Sequence, residues 1–102
     1  MSKTRTSSTG IRVLEVLKAL KGQTVTGLSN KDLADAIGCP ASAITRATAD
    51  LIEAGLVVKL DNGRFAHSVQ MLQIAQAHAE HVAKLQGRIA EINQRIAAGV
   101  WN

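Results

Sequence analysis

Aromatic side chains are nearly missing from this chain. Phe65 and Trp101 are the only two among 102 residues, and there is no tyrosine. Proteins that grip single-stranded nucleic acid stack bases on such rings, so that class is disfavoured. A core without rings must be assembled from Leu, Ile, Val and Ala, which suits packed helices. Cysteine is equally scarce: Cys39 stands alone. That excludes an internal disulfide and a thiolate metal cluster, and it fits a reducing cytoplasm. No run of about 18 apolar residues occurs, so no membrane-spanning helix is expected. The opening Met1-Ser-Lys-Thr-Arg-Thr-Ser-Ser-Thr lacks the apolar centre of a secretion signal. Residues 1–9 read as a mobile basic arm.

What remains is ordinary for a globular chain, with 46% hydrophobic and 20% charged residues. The length suffices for one modest core. The formal net charge is +4, and nine of the twelve Lys/Arg precede His67 against six acids there. The positive excess therefore lies in the N-terminal two-thirds and mildly favours a polyanionic partner.

Apolar periodicity divides the chain. Ser8-Thr9-Gly10 offers caps for an amphipathic helix built on Ile11, Val13, Leu14, Leu17 and Leu20. Lys18 and Lys21 suit its C-terminal end, and Gly22 stops it. Gln23 to Leu28 reads as a loop or short strand with Val25 and Leu28 facing inward. Ser29 caps a second helix through a box with Asp32, and Leu33, Ala34 and Ile37 form its inner face. Gly38 ends it after about two turns. Pro40 suits the first position of a third helix, about Ala41 to Ala54, whose buried stripe is Ile44, Ala47, Leu51 and Ile52. Leu56 to Leu60 and Arg64 to His67 read as strands around an Asp61-Asn62-Gly63 turn. From Ser68 the helical period returns. Val82, Leu85, Ile89, Ile92 and Ile96 are spaced 3, 4, 3, 4, an a/d seam that extends less clearly back through Ala75 and Met71.

The predicted fold is mainly α: three helices plus a β-hairpin wing, a winged helix-turn-helix, followed by a long C-terminal helix. The expected domains are a DNA-binding unit over 10–67 and a dimerisation coiled coil over 68–102. Two short helices around a Gly-containing turn place the second at the major groove, N-terminus first. Ser42 and Thr45 offer hydroxyls to phosphate or bases, and Ala43 suits a thymine methyl. Arg46 suits a guanine edge or a phosphate. Ala41 opens the same surface. Lys59, Asn62 and Arg64 lie on or near the wing. Lys3 and Arg5 can reach an adjacent minor groove from the arm.

Four segments carry a resemblance: IRVLEVLKAL, LSNKDLADAIGCPASAITRATADLIEAGLV, the DNGRF hairpin and VQMLQIA. Together, over about residues 10–75, the chain resembles the DNA-binding domain of IclR-type regulators. Gly38, Pro40, Ser42 and Arg46 follow that family's Gly-x-Pro-x-Ser-x-x-x-Arg pattern. The resemblance implies that residues 41–46 face DNA. Two positions depart from it. Family members often carry Lys where Ala41 stands, and an aromatic residue or His where Thr45 stands. A single helix stands where the family carries its effector domain, so small-molecule sensing is not implied.

Other residues offer weaker signals. His78 and His81 lie three apart on the last helix, but a metal site needs more ligands, so no metal is expected. Nothing pairs a nucleophile with a base, forms a phosphate loop or pairs carboxylates, so neither an enzyme nor a cofactor is expected. The expected function is sequence-specific binding of double-stranded DNA by a small dimeric transcriptional regulator, cytoplasmic and of bacterial or phage nucleoid type. The alternatives are a winged-helix interaction module, adaptor or anti-repressor, and an architectural or replication accessory protein.

Overall fold

A computed structural model describes residues 4–99 of the chain. The element order is α1 (Ser8–Ala19), α2 (Asn30–Ile37), α3 (Ala41–Glu53), β1 (Val57–Lys59), β2 (Phe65–His67) and α4 (Val69–Ala97). Three helices, a hairpin and a long helix make a winged helix-turn-helix with a helical extension. The chain divides into two units, Met1–Met71 and Leu72–Asn102.

Helix α1 starts earlier than its sequence caps suggested. Ser7 is the N-cap, and its Oγ accepts from the Gly10 N–H at 3.0 Å. The helix ends at Ala19, which puts Lys21 beyond it and leaves Lys18 as the base of the last turn. Its buried residue is Val16, joined in the core by the C-cap Leu20. Val13 and Leu17 pack at the edge, whereas Ile11 and Leu14 are exposed. The inner face is thus rotated from the predicted stripe, because the α1 face against α3 centres on Val16 and Leu20.

Helix α2 is short and capped at both ends. Ser29 Oγ accepts from the Asp32 N–H at 3.0 Å, and Asp32 Oδ2 accepts from the Ser29 N–H at 3.1 Å. The shorter Asp side chain still closes the box. Gly38 takes φ +78 and returns its N–H to Ala34 O. Pro40 is the N-cap of α3, one position before the one predicted for it. Ile44, Ala47, Thr48 and Leu51 are buried on one face of α3. Thr48 is tolerated there because its hydroxyl lies 2.9 Å from Ile44 O and 3.1 Å from Thr45 O. Ile52 is 42% exposed and does not belong to the stripe. Five residues back from the helix stop, Thr48 occupies the buried angle that Ile52 misses.

The wing is an antiparallel pair with register Val57↔His67, Val58↔Ala66 and Lys59↔Phe65. Leu60 N–H donates to Arg64 O at 2.7 Å, so the loop is Asp61-Asn62-Gly63. Within that loop only Gly63 takes a positive φ, +83. This matches a three-residue hairpin closed by a left-handed glycine. The Gln23–Leu28 segment contributes no full strand, only a bridge in which Leu28 and Phe65 exchange backbone bonds of 2.9 and 2.8 Å. Val25 points outward at 88% exposure, against the inward position expected of it, while Leu28 packs at the core edge.

Two side-chain contacts lock the wing. His67 Nε2 lies 2.7 Å from Leu17 O, and since a carbonyl only accepts, that nitrogen carries the proton. Buried Ser68 donates to Gly55 O at 2.6 Å and accepts from the Met71 N–H at 3.1 Å, capping α4. In the second unit α4 carries no buried residue. Leu85, Ile89, Ile92 and Ile96 are exposed, and Val82 is half-buried. No helix of the described residues is long and apolar enough to cross a membrane.

Gly27 tests this packing. It sits at φ +71, and a Cβ there would lie 2.7 Å from Phe65 O, on the bridge that seats the wing. Gly27→Ala is expected to destabilise the protein by about 2 kcal/mol, combining backbone strain with the clash. A thermal melt should show a fall of roughly 8–16 °C. An unchanged midpoint would mean that the bridge does not constrain the wing.

Candidate nucleic-acid interface

Burial of Ile44, Ala47, Thr48 and Leu51 decides what α3 presents to solvent. At 100° per residue, the opposite face carries Ser42, Arg46, Ala49 and Glu53. All four are exposed. The N-terminal half of this face is therefore cationic and hydroxylic. The C-terminal half carries Glu53, with Asp50 exposed to one side of it, and both repel a phosphate backbone. The polarity of the helix follows: its N-terminal half is the half suited to DNA.

The helix start adds donors. Pro40 provides no side-chain cap, and Ala43 and Ile44 both donate to the Pro40 carbonyl. The amides of Ala41 and Ser42 are left for an outside acceptor, and an anion there also meets the favourable end of the helix dipole. Ala41 is exposed beside them, and Ala43 is half-buried.

Thr45 is exposed but occupied. Its hydroxyl donates to Ala41 O at 3.1 Å and accepts from Asn30 Nδ2 at 3.1 Å, joining α2 to α3. With its one proton used, it retains a lone pair and a methyl group. That suits a base amine or a methyl contact, not a phosphate. Asn62 is likewise committed. Its Oδ1 accepts from the Arg64 N–H at 2.9 Å, and its Nδ2 donates to Thr26 O at 3.3 Å. It shapes the loop tip.

Arg64 and Lys59 remain exposed cations of the wing. The Arg64 guanidinium is 3.9 Å from Asp32 Oδ2, a long and solvated pair of little energetic weight. Lys59 holds its ammonium 5.9 Å from the centre of the Phe65 ring. Hydrogen bonds from Ser29, its backbone N–H foremost, hold the Asp32 carboxyl below the usual aspartate range, and Arg64 adds a smaller pull. The Lys31 ammonium is raised by its bond to Asp35 at 2.7 Å. Arg5 is exposed ahead of α1, and Lys3 lies outside the described residues. Among the described residues no three candidate metal ligands cluster.

Two features of this surface were not anticipated. Ala49 shares the exposed face with Ser42 and Arg46. Arg12, with Ser8 and Thr9, meets Ala43, Arg46 and Ala47 around a cleft of about 160 Å³ between α1 and α3. A signal existed in the sequence: a cation within the opening turns of a helix that has no acid in its first turn. Such an arrangement runs against the helix dipole.

The comparison with curated proteins returned no match. Residues 11–61 match the family model of the IclR helix-turn-helix domain, a stretch that runs from α1 through α2, α3 and β1 to the loop of the wing. Because that match spans half of the chain and covers the elements that build this surface, the chain belongs to the IclR helix-turn-helix domain family.

Proposed function

We propose that this protein is a homodimeric, sequence-specific reader of double-stranded DNA that regulates transcription. Family membership supports DNA binding and a part in transcription regulation. The observation that carries the finer reading is the exposed N-terminal half of α3. It groups Ser42, Ala43, Thr45 and Arg46 with the uncapped amides of Ala41 and Ser42. Arg46 is the strongest contact, and Lys59 and Arg64 add wing contacts to the backbone. Arg5 and Lys3 add charge from the arm. Residues 10–67 are the DNA-binding domain in this reading, and the protein works in the cytoplasm on the nucleoid.

One copy makes few strong contacts. Ala41 stands where family members often carry Lys, Thr45 where they often carry an aromatic residue or His, and Thr45 has its proton engaged. Pairing supplies the missing affinity, since a second linked reader acts at high effective concentration. The seam of half-buried Val82 and exposed Leu85, Ile89, Ile92 and Ile96 on the 29-residue α4 supports a coiled coil between two copies over 68–102. The same internal engagement of Thr45 and Asn62 favours a second reading, a winged-helix adaptor that binds protein.

Titration of a random-sequence duplex at low salt separates the two readings. The DNA reader binds it, and its affinity falls steeply as salt rises. The adaptor does not bind. Arg46→Ala should weaken duplex binding by about tenfold or more, the effect of losing one charged hydrogen-bonding contact. Unchanged affinity would remove Arg46 from the interface. Introducing charge in the seam, as Ile89→Glu with Ile92→Glu, should halve the mass seen by analytical ultracentrifugation and weaken duplex binding. An unchanged mass would show that the copies do not pair through α4.

A further inference from the structure

We propose that the cleft between the start of α1 and the first half of α3 seats one phosphodiester group of the DNA backbone, held between Arg12 and Arg46. The inference rests on the DNA-binding reading above and deepens it. Two arginines line one cleft of about 160 Å³, together with the hydroxyl-bearing Ser8 and Thr9 and the small Ala43 and Ala47. No carboxylate lines it, and neither arginine has an acidic partner within salt-bridge range among the described residues. Two permanent cations sharing a concavity repel each other unless an anion sits between them.

Arg12 carries the stronger sign. Its Nε is shut off from solvent and has no hydrogen-bond partner. A buried donor on a charged group is costly to leave unpaired, and an acceptor in the cleft that draws the guanidinium outward would relieve that cost. An oxygen of a tetrahedral anion supplies one, and the guanidinium fork suits phosphate geometry. The cleft shares Ala43 and Arg46 with the exposed start of α3. An anion held there is therefore adjacent to the bases that α3 would read. This points to a backbone phosphate beside the read sequence rather than to a free anion. Arg46 then positions the helix, and base discrimination falls to Ser42, Ala43, Thr45 and Ala49.

The test uses the full chain and its binding to a random duplex across a salt series. Arg12→Ala should lower the slope of log affinity against log salt by about 0.9 for each bound copy, the signature of one lost phosphate contact. Arg12→Lys should keep most of the slope, because the charge remains. A second measurement on the unaltered protein removes any dependence on the variant folding. The Arg12 Nε–H signal is followed by NMR during addition of the duplex and, separately, of inorganic phosphate, with Arg88 and Arg95 of α4 as references. A selective shift of Arg12 with duplex, at concentrations where inorganic phosphate leaves it unmoved, supports the seat. An unchanged slope in Arg12→Ala with duplex binding intact overturns the seat alone. An equal response to inorganic phosphate overturns the backbone as the source of the anion. Absence of duplex binding by the unaltered protein overturns the DNA reading and the seat with it.

Discussion

The structure depends on burying one face of α3. Ile44, Ala47, Thr48 and Leu51 are withdrawn from water against Val16, Leu20 and Leu33, and within the first unit α1, α2 and the wing are arranged around that contact. Full burial of a branched side chain is worth about 1.5–3 kcal/mol. Rotating α3 by even a third of a turn would expose several such residues at once. The orientation of the helix is therefore stiffly set, and the identity of its outward residues follows without further instruction. Arg46 faces solvent because it lies on the side opposite Ile44.

The local devices around this contact keep its two neighbours in place. The Ser29–Asp32 box starts α2 at a fixed residue, and Gly38 reverses the chain before α3. Asn30 and Thr45 join the two helices on the side away from the core. The wing is seated by Leu28–Phe65 pairing, by His67 on Leu17 and by Ser68 on Gly55. The first is a pair of backbone bonds, and the other two run from a side chain to a backbone carbonyl at or just past a helix end. They convert the hydrophobic contact, which has no direction, into one defined geometry.

Features that act within a few residues were legible in the sequence. Ser29, Gly38, Asn62-Gly63 and the 3, 4, 3, 4 spacing of α4 each announce themselves through local chemistry. Features that depend on what lies across the core were not. Ile11, Leu14, Val25 and Ile52 have the right chemistry for burial, yet each is exposed. No pattern along one strand of sequence tells which flank of a wide apolar stripe a neighbour will cover. The site divides in the same way. The place of Arg46 on the outward side of α3 was readable from its position in the turn-helix motif. The engagement of Thr45 with Asn30 joins residues 15 apart. The meeting of Arg12 with Arg46 joins residues 34 apart and exists only once α1 crosses α3.

On the proposed reading, few DNA contacts per copy and apolar residues exposed along the last helix fit one half of a symmetric pair. The most direct test is selection of genomic DNA fragments by the purified protein, followed by sequencing of what is retained. The account predicts enrichment of a two-fold symmetric site whose half-sites are about 10 bp apart, or a multiple of that spacing, centre to centre. No enrichment over random fragments, or enrichment of a single half-site without symmetry, would contradict it.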